Sequence, residues 1–368
     1  MEINRIEVFQ TDLPYVDGTY QWGAGNAITT ARASVVVIGT ACGLTGCGEF
    51  TPCGENYMVA HSEGVAAAAK ILAPVLIGKD PRQVEAIDWE MDQTILGHGY
   101  AKAPIIAACY DILGKSCNLP VWMLLGGKLT DGAPMYRVAP QRSKEETIAE
   151  LDRHRAAGYR QFQIKVGANW EHDIDRIRAT VPLLAPGEKA MADANQGWRV
   201  DNAIRVANAT RDLDYIFEQP CHTYEECQRV RPLVAQPMKL DECVTGMEVA
   251  QRIVQDRGAE ICCLKISNLG GLVKARRVRD FLIENRIPVV SEDTWGGEIS
   301  TSAVAHFAAS TPMDYLINST DLHNYNTRST GIGGPSVRNG KLYASDTPGL
   351  GVEPDFDSLG DPLAVYAI

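Results

Sequence analysis

The tripeptide Gln163-Ile164-Lys165 ends a short apolar run with a charged residue, and the same arrangement returns at Ala192-Asp193, Phe217-Glu218, Leu240-Asp241 and Leu264-Lys265. The five charged residues are 28, 25, 23 and 24 positions apart, so one repeating unit separates each from the next. A unit of that length fits one β-strand followed by one α-helix. Repeated strand–helix units predict a parallel sheet covered by helices.

The same rhythm continues on both sides of this region and gives eight short apolar runs from about Pro134 onward. Eight strand–helix cycles in about 190 residues predict a (β/α)₈ barrel. A doubly wound open sheet is the alternative, because alternation alone does not prove closure, although no Gly-x-Gly-x-x-Gly follows the first strand. The remaining run-ends are Arg137-Val138, Ser291-Glu292-Asp293 and Asn318-Ser319, and the predicted helices include Glu145–Ala157, Glu171–Leu184, Val200–Arg211 and Leu272–Glu284.

The chain before this region follows a different pattern, in which strand-like segments come first and helical segments follow. We therefore predict an α+β unit of a few antiparallel strands and helices ahead of the barrel. The glycine-rich stretch Gly126–Gly132 is the predicted boundary. The predicted elements are strands at Ile3–Leu13 and Ala33–Gly39, a hairpin partner at Gly43–Glu49, and helices at Val65–Leu76 and Pro104–Lys115.

Composition and charge exclude several classes of protein. Hydrophobic residues make up 45% of the chain and charged residues 22%, which is typical of folded domains and argues against disorder. The net charge of −11 argues against nucleic-acid or anionic-membrane partners, and no apolar run is long enough to span a bilayer. The N-terminal residues lack the apolar core of a signal peptide, and the ten cysteines contain no Cys-x-x-Cys pair. We expect a cytoplasmic protein with reduced cysteines.

Five charged residues are predicted to meet at the carboxyl end of the barrel strands, namely Lys165, Asp193, Glu218, Asp241 and Lys265. Three carboxylates repel one another unless a cation lies between them, and an all-oxygen set suits Mg²⁺ better than zinc. One Mg²⁺ ion held by these carboxylates would stabilise an enediolate, formed when a proton is removed next to a substrate carboxylate. The two flanking lysines would address opposite faces of the same carbon, with burial beside the cation lowering their pKa toward the working pH.

Each of these residues has a structural explanation when it is taken alone. A single acidic residue at a strand end commonly caps a helix, and Asp293, with Glu292 beside it, fits that role. Five charged run-ends in barrel register are harder to explain as five separate caps. Two other classes of protein are alternatives. One is a Schiff-base lyase that uses a barrel lysine, and the three carboxylates argue against it. The other is a ligand-binding barrel without activity, and the presence of all five charged residues argues against that.

These residues, together with their neighbours, resemble the enolase superfamily in its muconate-lactonizing (mandelate racemase/muconate lactonizing enzyme) subgroup, whose catalytic pair is two lysines. The resemblance implies a modified TIM-type (β/α)₇β barrel with an α+β capping domain, and enzymes that often form homo-oligomers. It implies a capping domain at 1–127, a barrel at 128–330 and a C-terminal segment at 331–368 that returns to the capping domain. The supporting motifs are Gln163-Ile164-Lys165, Asp193-Ala194-Asn195, Phe217-Glu218-Gln219-Pro220, Leu240-Asp241-Glu242, Leu264–Gly271, Ala108–Lys115 and Leu124–Gly127.

One departure from the subgroup's pattern bears on the substrate. Typical relatives place a lysine two residues before the base, whereas this chain has Gln163. Gln163 and the stretch Glu292–Gly297 resemble the branch that acts on proline betaines and hydroxyprolines. Some betaine epimerases of that branch hold a quaternary ammonium with a tryptophan after the eighth strand, where this chain reads Ser319–Tyr325, without tryptophan. Asp321 in that stretch is a candidate partner for a protonated amine, and a loop carboxylate is an equally good explanation of it.

The resemblance implies an Mg²⁺-dependent racemase or epimerase that moves the α-proton of an amino-acid carboxylate, either proline or an N-substituted or hydroxyproline-like relative. The alternatives are a hydroxyproline-type dehydratase, which loses water from the same enediolate, and a muconate-type cycloisomerase. Lys165 and Lys265 are the predicted catalytic residues. Trp22 and Tyr57, in predicted capping-domain loops, fit either a substrate cover or packing anchors. The predicted substrate-binding residues are Trp22, Tyr57, Gln163, Asp293, Trp295 and Asp321.

Overall fold

In the computed structural model, which describes residues 1–139 and 144–367, the chain begins with an antiparallel sheet and the helices that cover it. The elements are strands β1 (Ile3–Pro14), β2 (Tyr20–Trp22), β3 (Asn26–Ile28), β4 (Thr30–Thr40) and β5 (Thr45–Phe50) and helices α1 (Glu63–Leu76), α2 (Val84–Thr94), α3 (Gly99–Cys117) and α4 (Val121–Leu124). β1 pairs with β4 along most of its length, and β4 pairs with β5. The β-branched residues Val35–Ile38 are buried at the centre of β4, as expected for a strand with neighbours on both sides.

Glycines in β5 allow the long helix α3 to lie directly on the sheet. A Cβ atom at Gly48 would stand 1.9 Å from the carbonyl oxygen of Pro104 in α3. Any larger side chain at this position would therefore push the helix away from the strand. Apolar residues of the helix and the sheet belong to one core, which continues into the barrel.

Eight parallel strands follow in one sheet, and strands that are consecutive in the chain are neighbours in space. The strands are β7 (Tyr136–Ala139), β8 (Gln161–Lys165), β9 (Lys189–Asp193), β10 (Ile216–Glu218), β11 (Met238–Leu240), β12 (Ile261–Lys265), β13 (Val289–Glu292) and β14 (Leu316–Ser319). The helices between them are α5 (Lys144–Ala156), α6 (Trp170–Thr180), α7 (Val200–Ala209), α8 (Tyr224–Val230), α9 (Met247–Asp256), α10 (Ile266–Leu269), α11 (Leu272–Glu284) and α12 (Glu298–Ala309).

The two edge strands of this sheet meet, so the sheet is a nearly closed barrel. Met135, directly before β7, forms a parallel bridge with Ser319 at the end of β14. The prediction of a barrel with an α+β capping domain is confirmed, and the doubly wound open sheet is wrong. The count of eight full cycles is also wrong by one helix, because β14 is followed by the 3₁₀ helix Leu322–Tyr325. The architecture is the (β/α)₇β form.

The pairing register brings the charged run-ends to one rim. Lys165 pairs with Asp193, and Asp193 pairs with Glu218 across the next strand. Glu218 is level with Lys239, so Asp241 stands two residues further along. On the far side, Lys265 pairs with Glu292. One layer of the barrel mouth therefore carries charged groups of both signs.

The chain beyond the barrel returns to both earlier units. The remaining elements are β6 (Ala133–Pro134), before the barrel, and β15 (Gly331–Gly333), β16 (Ser336–Arg338), β17 (Lys341–Tyr343), β18 (Val352–Pro354), α13 (Phe356–Leu359) and β19 (Ala364–Ala367) after it. β17 pairs with β6, and β19 adds a strand beside β1 in the first sheet. The boundaries 1–127, 128–330 and 331–368 stay predictions.

Two expectations from composition concern membranes and cysteines. Over residues 1–139 and 144–367, no helix combines the length and the apolar character needed to cross a bilayer. All ten cysteines are free, and seven of them are buried. A buried thiol of this kind packs as a small hydrophobe.

Candidate active site

Lys165 and Asp193 form one side of the site. Lys165 Nζ lies 2.6 Å from Asp193 Oδ2 and donates a second hydrogen bond to Asn195 Oδ1 at 3.1 Å. Gln163, two residues earlier on the same face of β8, donates from Nε2 to Asp193 Oδ2 at 3.0 Å and to Glu218 Oε2 at 3.4 Å. Gln163 therefore joins two of the three predicted metal ligands through an uncharged amide donor.

Lys265 and Asp241 form the opposite side. Lys265 Nζ lies 2.8 Å from Asp241 Oδ1 and 3.4 Å from Glu292 Oε1. The hydroxyl of Tyr57, from the capping domain, donates to Asp241 Oδ2 at 3.4 Å. Glu292 also accepts a hydrogen bond from the Tyr136 hydroxyl at 3.0 Å. Each predicted catalytic lysine is thus held by one predicted metal ligand.

A third lysine that is buried at this site was not predicted from the sequence. Lys239 Nζ lies 2.6 Å from Glu218 Oε1. It occupies the middle of the short strand Met238-Lys239-Leu240, between two apolar residues, and that position was the available signal. All three predicted metal ligands consequently have an ammonium partner.

The pKa values follow from burial and from this alternation of charges. Burial, together with the neighbouring charges of Asp193 and Asp241, raises the pKa of Glu218 to about 7 against the opposing effect of Lys239. Burial works to lower the pKa of Lys165, but Asp193, Tyr20 and Glu218 outweigh it, and the pKa lies well above its ordinary value. The pKa of Lys265 is also well above its ordinary value, because Asp241 outweighs burial. The lowering of the lysine pKa that is expected beside a bound divalent cation stays a prediction.

The donor set suits a hard divalent cation. Asp193, Glu218 and Asp241 are buried side chains at one rim, and the charges of Asp193 and Asp241 contribute to the raised pKa of Glu218. A cation between them would relieve that repulsion. In the present arrangement each carboxylate is bonded to a lysine, and no three acidic, histidine or cysteine side chains in the described part of the chain are grouped closely enough to hold a metal. The chemistry of the oxygen donors fits the ion, although in the present arrangement these donors bond to lysines.

A cavity opens at this rim beneath the capping domain, and it contains part of the predicted site. Lys165, Asp193 and Asp241 line it, as do the predicted substrate-binding residues Trp22, Tyr57, Gln163 and Trp295. Lys265 and Glu218 are not part of the lining, but Lys265 contacts the lining residue Asp241 and Glu218 contacts the lining residue Gln163. The other lining residues are Tyr20, Cys53, Tyr136, Val138, Asn195, Glu292, Thr294, Thr320, Leu322 and Tyr325.

Asp293 and Asp321, both predicted to bind substrate, lie outside this cavity lining. Asp293 accepts hydrogen bonds from the backbone and hydroxyl of Ser267 and from Thr294 N, so it caps the short helix α10. Burial raises its pKa to about 6. Asp321 is fully buried and binds Arg137 through two hydrogen bonds of 2.8 and 2.7 Å. Its charge is already compensated, so the expected pairing of Asp321 with a substrate amine lacks support.

Several lining residues were not predicted from the sequence. Tyr20, next to Trp22 on β2, places its ring 6.0 Å from Lys165 Nζ and 5.0 Å from the Trp295 ring. Glu292 was interpreted as a cap, but it faces the cavity beside Lys265. Asn195 lies in the motif Asp193-Ala194-Asn195 and contacts Lys165, and the motif itself was the signal for it.

Two family descriptions match this chain. The enolase C-terminal domain-like family matches residues 146–358, and the N-terminal domain of the mandelate racemase/muconate lactonizing enzymes matches residues 21–126. The chain belongs to the enolase superfamily. Within the superfamily it is similar to a cis-3-hydroxy-L-proline dehydratase of Roseibium aggregatum, with 43% identity over all of both chains. More distant relatives, at 27% to 30% identity, include racemases, epimerases and muconate cycloisomerases.

Solved structures of superfamily members agree with this fold. A mandelate racemase/muconate lactonizing enzyme from Roseovarius nubinhibens is 75% identical, covers all of both chains and superposes with a TM-score of 0.99. Another enolase superfamily member from the same organism, solved with magnesium, is 33% identical over all of both chains, with a TM-score of 0.94.

Proposed function

We propose that this enzyme is a dehydratase that removes water from a cis-3-hydroxyproline. The observation that carries the proposal is the pair Lys165 and Lys265, held on opposite flanks of three buried carboxylates. The similarity over the full chain to a cis-3-hydroxy-L-proline dehydratase supports the reaction class. It supports the dehydratase alternative better than the racemase or epimerase that was the first expectation.

The stereochemistry of a cis-3-hydroxyproline calls for one catalytic group on each face of the ring. In a cis-3-hydroxyproline the hydroxyl and the carboxylate are on the same face of the ring, so the α-hydrogen is on the other face. Removing the proton and the hydroxyl therefore requires one group above the ring and one below it. Lys165, bonded to Asp193, and Lys265, bonded to Asp241, would serve as these two groups.

The chain's own residues would carry the protons. Lys165 Nζ, as a neutral amine, takes the α-proton, and the electron pair of the broken C–H bond forms the double bond between C2 and C3. The C3–O bond breaks on the opposite face, where Lys265 Nζ gives a proton to the leaving hydroxide, so that water departs. Exchange with solvent then restores both lysines. Trp22, Tyr57 and Trp295 cover the cavity and limit the access of water.

Asp193, Glu218 and Asp241 are the residues that would hold one Mg²⁺ ion. When bound, the ion would neutralise the negative charge that develops on the substrate carboxylate as the α-proton leaves. The superfamily member solved with magnesium supports this choice of metal.

The reaction class can be tested by incubating the enzyme with Mg²⁺ and cis-3-hydroxy-L-proline in D₂O. We expect loss of one water by mass spectrometry and an unsaturated ring by NMR. trans-3-Hydroxy-L-proline is the matched control, because its α-hydrogen and hydroxyl share one face, and it should react far more slowly. An α-deuterated epimer without loss of water would replace the dehydratase with an epimerase.

The two lysine roles can be separated in the same assay. Lys265→Met should abolish loss of water while α-deuterium still enters the recovered substrate, since Lys165 remains as base. Lys165→Met should abolish both events. If Lys265→Met instead blocks exchange and Lys165→Met does not, the two roles are reversed.

A further inference from the structure

Asn195 lies where the capping domain meets the proposed catalytic base. Its Oδ1 accepts a hydrogen bond from Lys165 Nζ at 3.1 Å and a longer one from the backbone N–H of Gly23 at 3.4 Å. Gly23 begins the 3₁₀ turn Gly23–Gly25, which follows β2 of the capping domain. One amide oxygen thus joins this turn, called here the capping turn, to Lys165.

The orientation of the Asn195 amide is fixed by its other contacts. Asn195 Nδ2 donates to Glu242 Oε1 at 2.9 Å, and Asn195 N donates to Asp193 Oδ1 at 2.9 Å. The backbone N–H of Gly23 can only donate, so the oxygen of the amide faces Gly23 and Lys165, and the nitrogen faces Glu242. The backbone of Asn195 has a φ of 42°, a left-handed conformation that these contacts hold in place.

The capping turn fits the barrel loop only because residue 23 is glycine. A Cβ atom at Gly23 would stand 2.1 Å from the carbonyl oxygen of Ala194 and 2.9 Å from Asn195 Cβ. The first of these is a backbone atom, which cannot move away cheaply. An alanine at position 23 would therefore lift the turn from Asn195 without changing any charged group of the site.

The capping turn is also bonded to the rest of the cover over the cavity. Asn26 Nδ2 donates to Gly23 O at 2.8 Å, and Asn56 Nδ2 donates to Asn26 Oδ1 at 2.6 Å. Asn56 precedes Tyr57, whose ring lies 5.7 Å from Lys265 Nζ. Hydrogen bonds therefore link the loop of Tyr57, beside Lys265, through the capping turn to the side chain of Asn195, which contacts Lys165.

We infer that Asn195 is a positioning residue that couples closure of the capping turn to the orientation of Lys165. With the turn in place, Gly23 and Lys165 share Asn195 Oδ1, and the amine points toward the covered cavity. With the turn lifted, Asn195 Oδ1 loses one of its two donors, so the amide that orients Lys165 beside Asp193 is held less firmly. The base is then best aligned while the cavity is covered. This inference rests on the proposed role of Lys165 as base.

The coupling can first be measured without substrate, by hydrogen–deuterium exchange of backbone amides in the metal-free enzyme. Gly23→Ala and Asn195→Ala should each speed exchange in residues 16–29 by about tenfold while leaving β8 protected. Gly246→Ala is the control, because its φ of 166° is extended and no atom lies near the added Cβ. Unchanged exchange at 16–29 in Asn195→Ala would overturn the coupling. If that variant does not fold, Glu242→Gln replaces it, since it no longer fixes which way the amide points.

The second measurement is a double-mutant cycle on the rate of α-proton removal. Each single variant should lower kcat by about 10- to 100-fold with a smaller change in KM, because alignment of the base is lost more than binding. The double variant Gly23→Ala/Asn195→Ala should be no slower than the slower single variant. Multiplicative losses would show two independent effects and reject the coupling. If the unaltered enzyme shows no turnover, the proposed function fails, whereas the exchange result still decides the coupling.

Discussion

Lys239 Nζ lies 2.6 Å from Glu218 Oε1, and both side chains are completely excluded from solvent. Two opposite charges buried in this way stabilise the fold only as a pair, since removing one leaves the other uncompensated in a medium of low dielectric constant. Lys239 is absent from the cavity lining, so substrate does not compete for it. It acts as a permanent counter-charge to one of the three proposed metal ligands.

Lys239→Met should lower the free energy of unfolding by about 3–5 kcal/mol, the usual effect of leaving one member of a buried ion pair alone. Urea denaturation in the presence of a chelator measures this without interference from metal. The double variant Lys239→Met/Glu218→Gln removes both charges and should recover much of the loss. A single variant as stable as the unaltered protein would show that Glu218 is not ionised in the fold.

Mg²⁺ should raise the melting temperature of the enzyme, because an ion that binds only the folded state stabilises it by about 2.7 kcal/mol at one hundred times its Kd. Differential scanning calorimetry with and without Mg²⁺ gives the shift. Asp193→Asn and Asp241→Asn should reduce it strongly. Asp212→Asn, which alters an exposed carboxylate paired with Arg178, is the control and should keep it. Full activity after thorough chelation would contradict the metal's role.

His306 should make the protein less stable in mild acid. Burial lowers the pKa of His306 to about 4 from an ordinary value of 6.5. Below pH 6.5 the unfolded chain takes up a proton that the folded protein refuses, so the free energy of unfolding falls as the pH drops toward 4. The total loss is about 3 kcal/mol at 1.36 kcal/mol per pKa unit.

The measurement is urea denaturation at several pH values, with His306→Asn as the comparison. His306 Nδ1 accepts from Trp122 N at 3.1 Å, and asparagine offers an oxygen for the same bond without a titrating group. The difference in stability between the two proteins should shrink as the pH falls from 6.5 to 4. A difference that stays constant over this range would exclude His306 as the titrating group.

Glu49 should contribute to the free energy of unfolding, because it binds the start of helix α12. It is buried, and its carboxylate accepts hydrogen bonds from Gly297 N at 2.7 Å and Ser300 N at 3.0 Å, at the start of α12. Glu49→Gln loses the negative charge that favours a helix N-terminus and one acceptor oxygen, and should cost about 1–3 kcal/mol in thermal or urea denaturation. Glu55→Gln, on an exposed loop, should change stability by less than about 0.5 kcal/mol.

The barrel and its charged rim were predictable because both depend on local spacing. Each strand ends where an apolar run ends, and parallel pairing then aligns residues such as Lys165 and Asp193. The contacts of Asp321 were not predictable in the same way, since its partner Arg137 is 184 residues away and joins it only when the first and eighth strands meet. Lys239 was missed because a lysine inside a short strand has no partner in the pattern of run-ends. The positions of Trp22 and Tyr57 depend on how the capping domain sits on the barrel, which spacing within either unit does not specify. The homo-oligomer and the cytoplasmic location stay predictions.

The pairing of β1 with β19 sets an order of events during synthesis. β1 pairs with β4 within the first forty residues, whereas in the described part of the chain its other edge pairs with residues 364–367. A strand edge that is still unpaired can pair wrongly with another chain. Because domains fold as the chain emerges, the barrel strands are all available before the first sheet is complete. A tag or a cut near residue 364 would therefore expose the edge of β1 and promote aggregation through the first sheet, while the barrel that holds the site keeps all its strands.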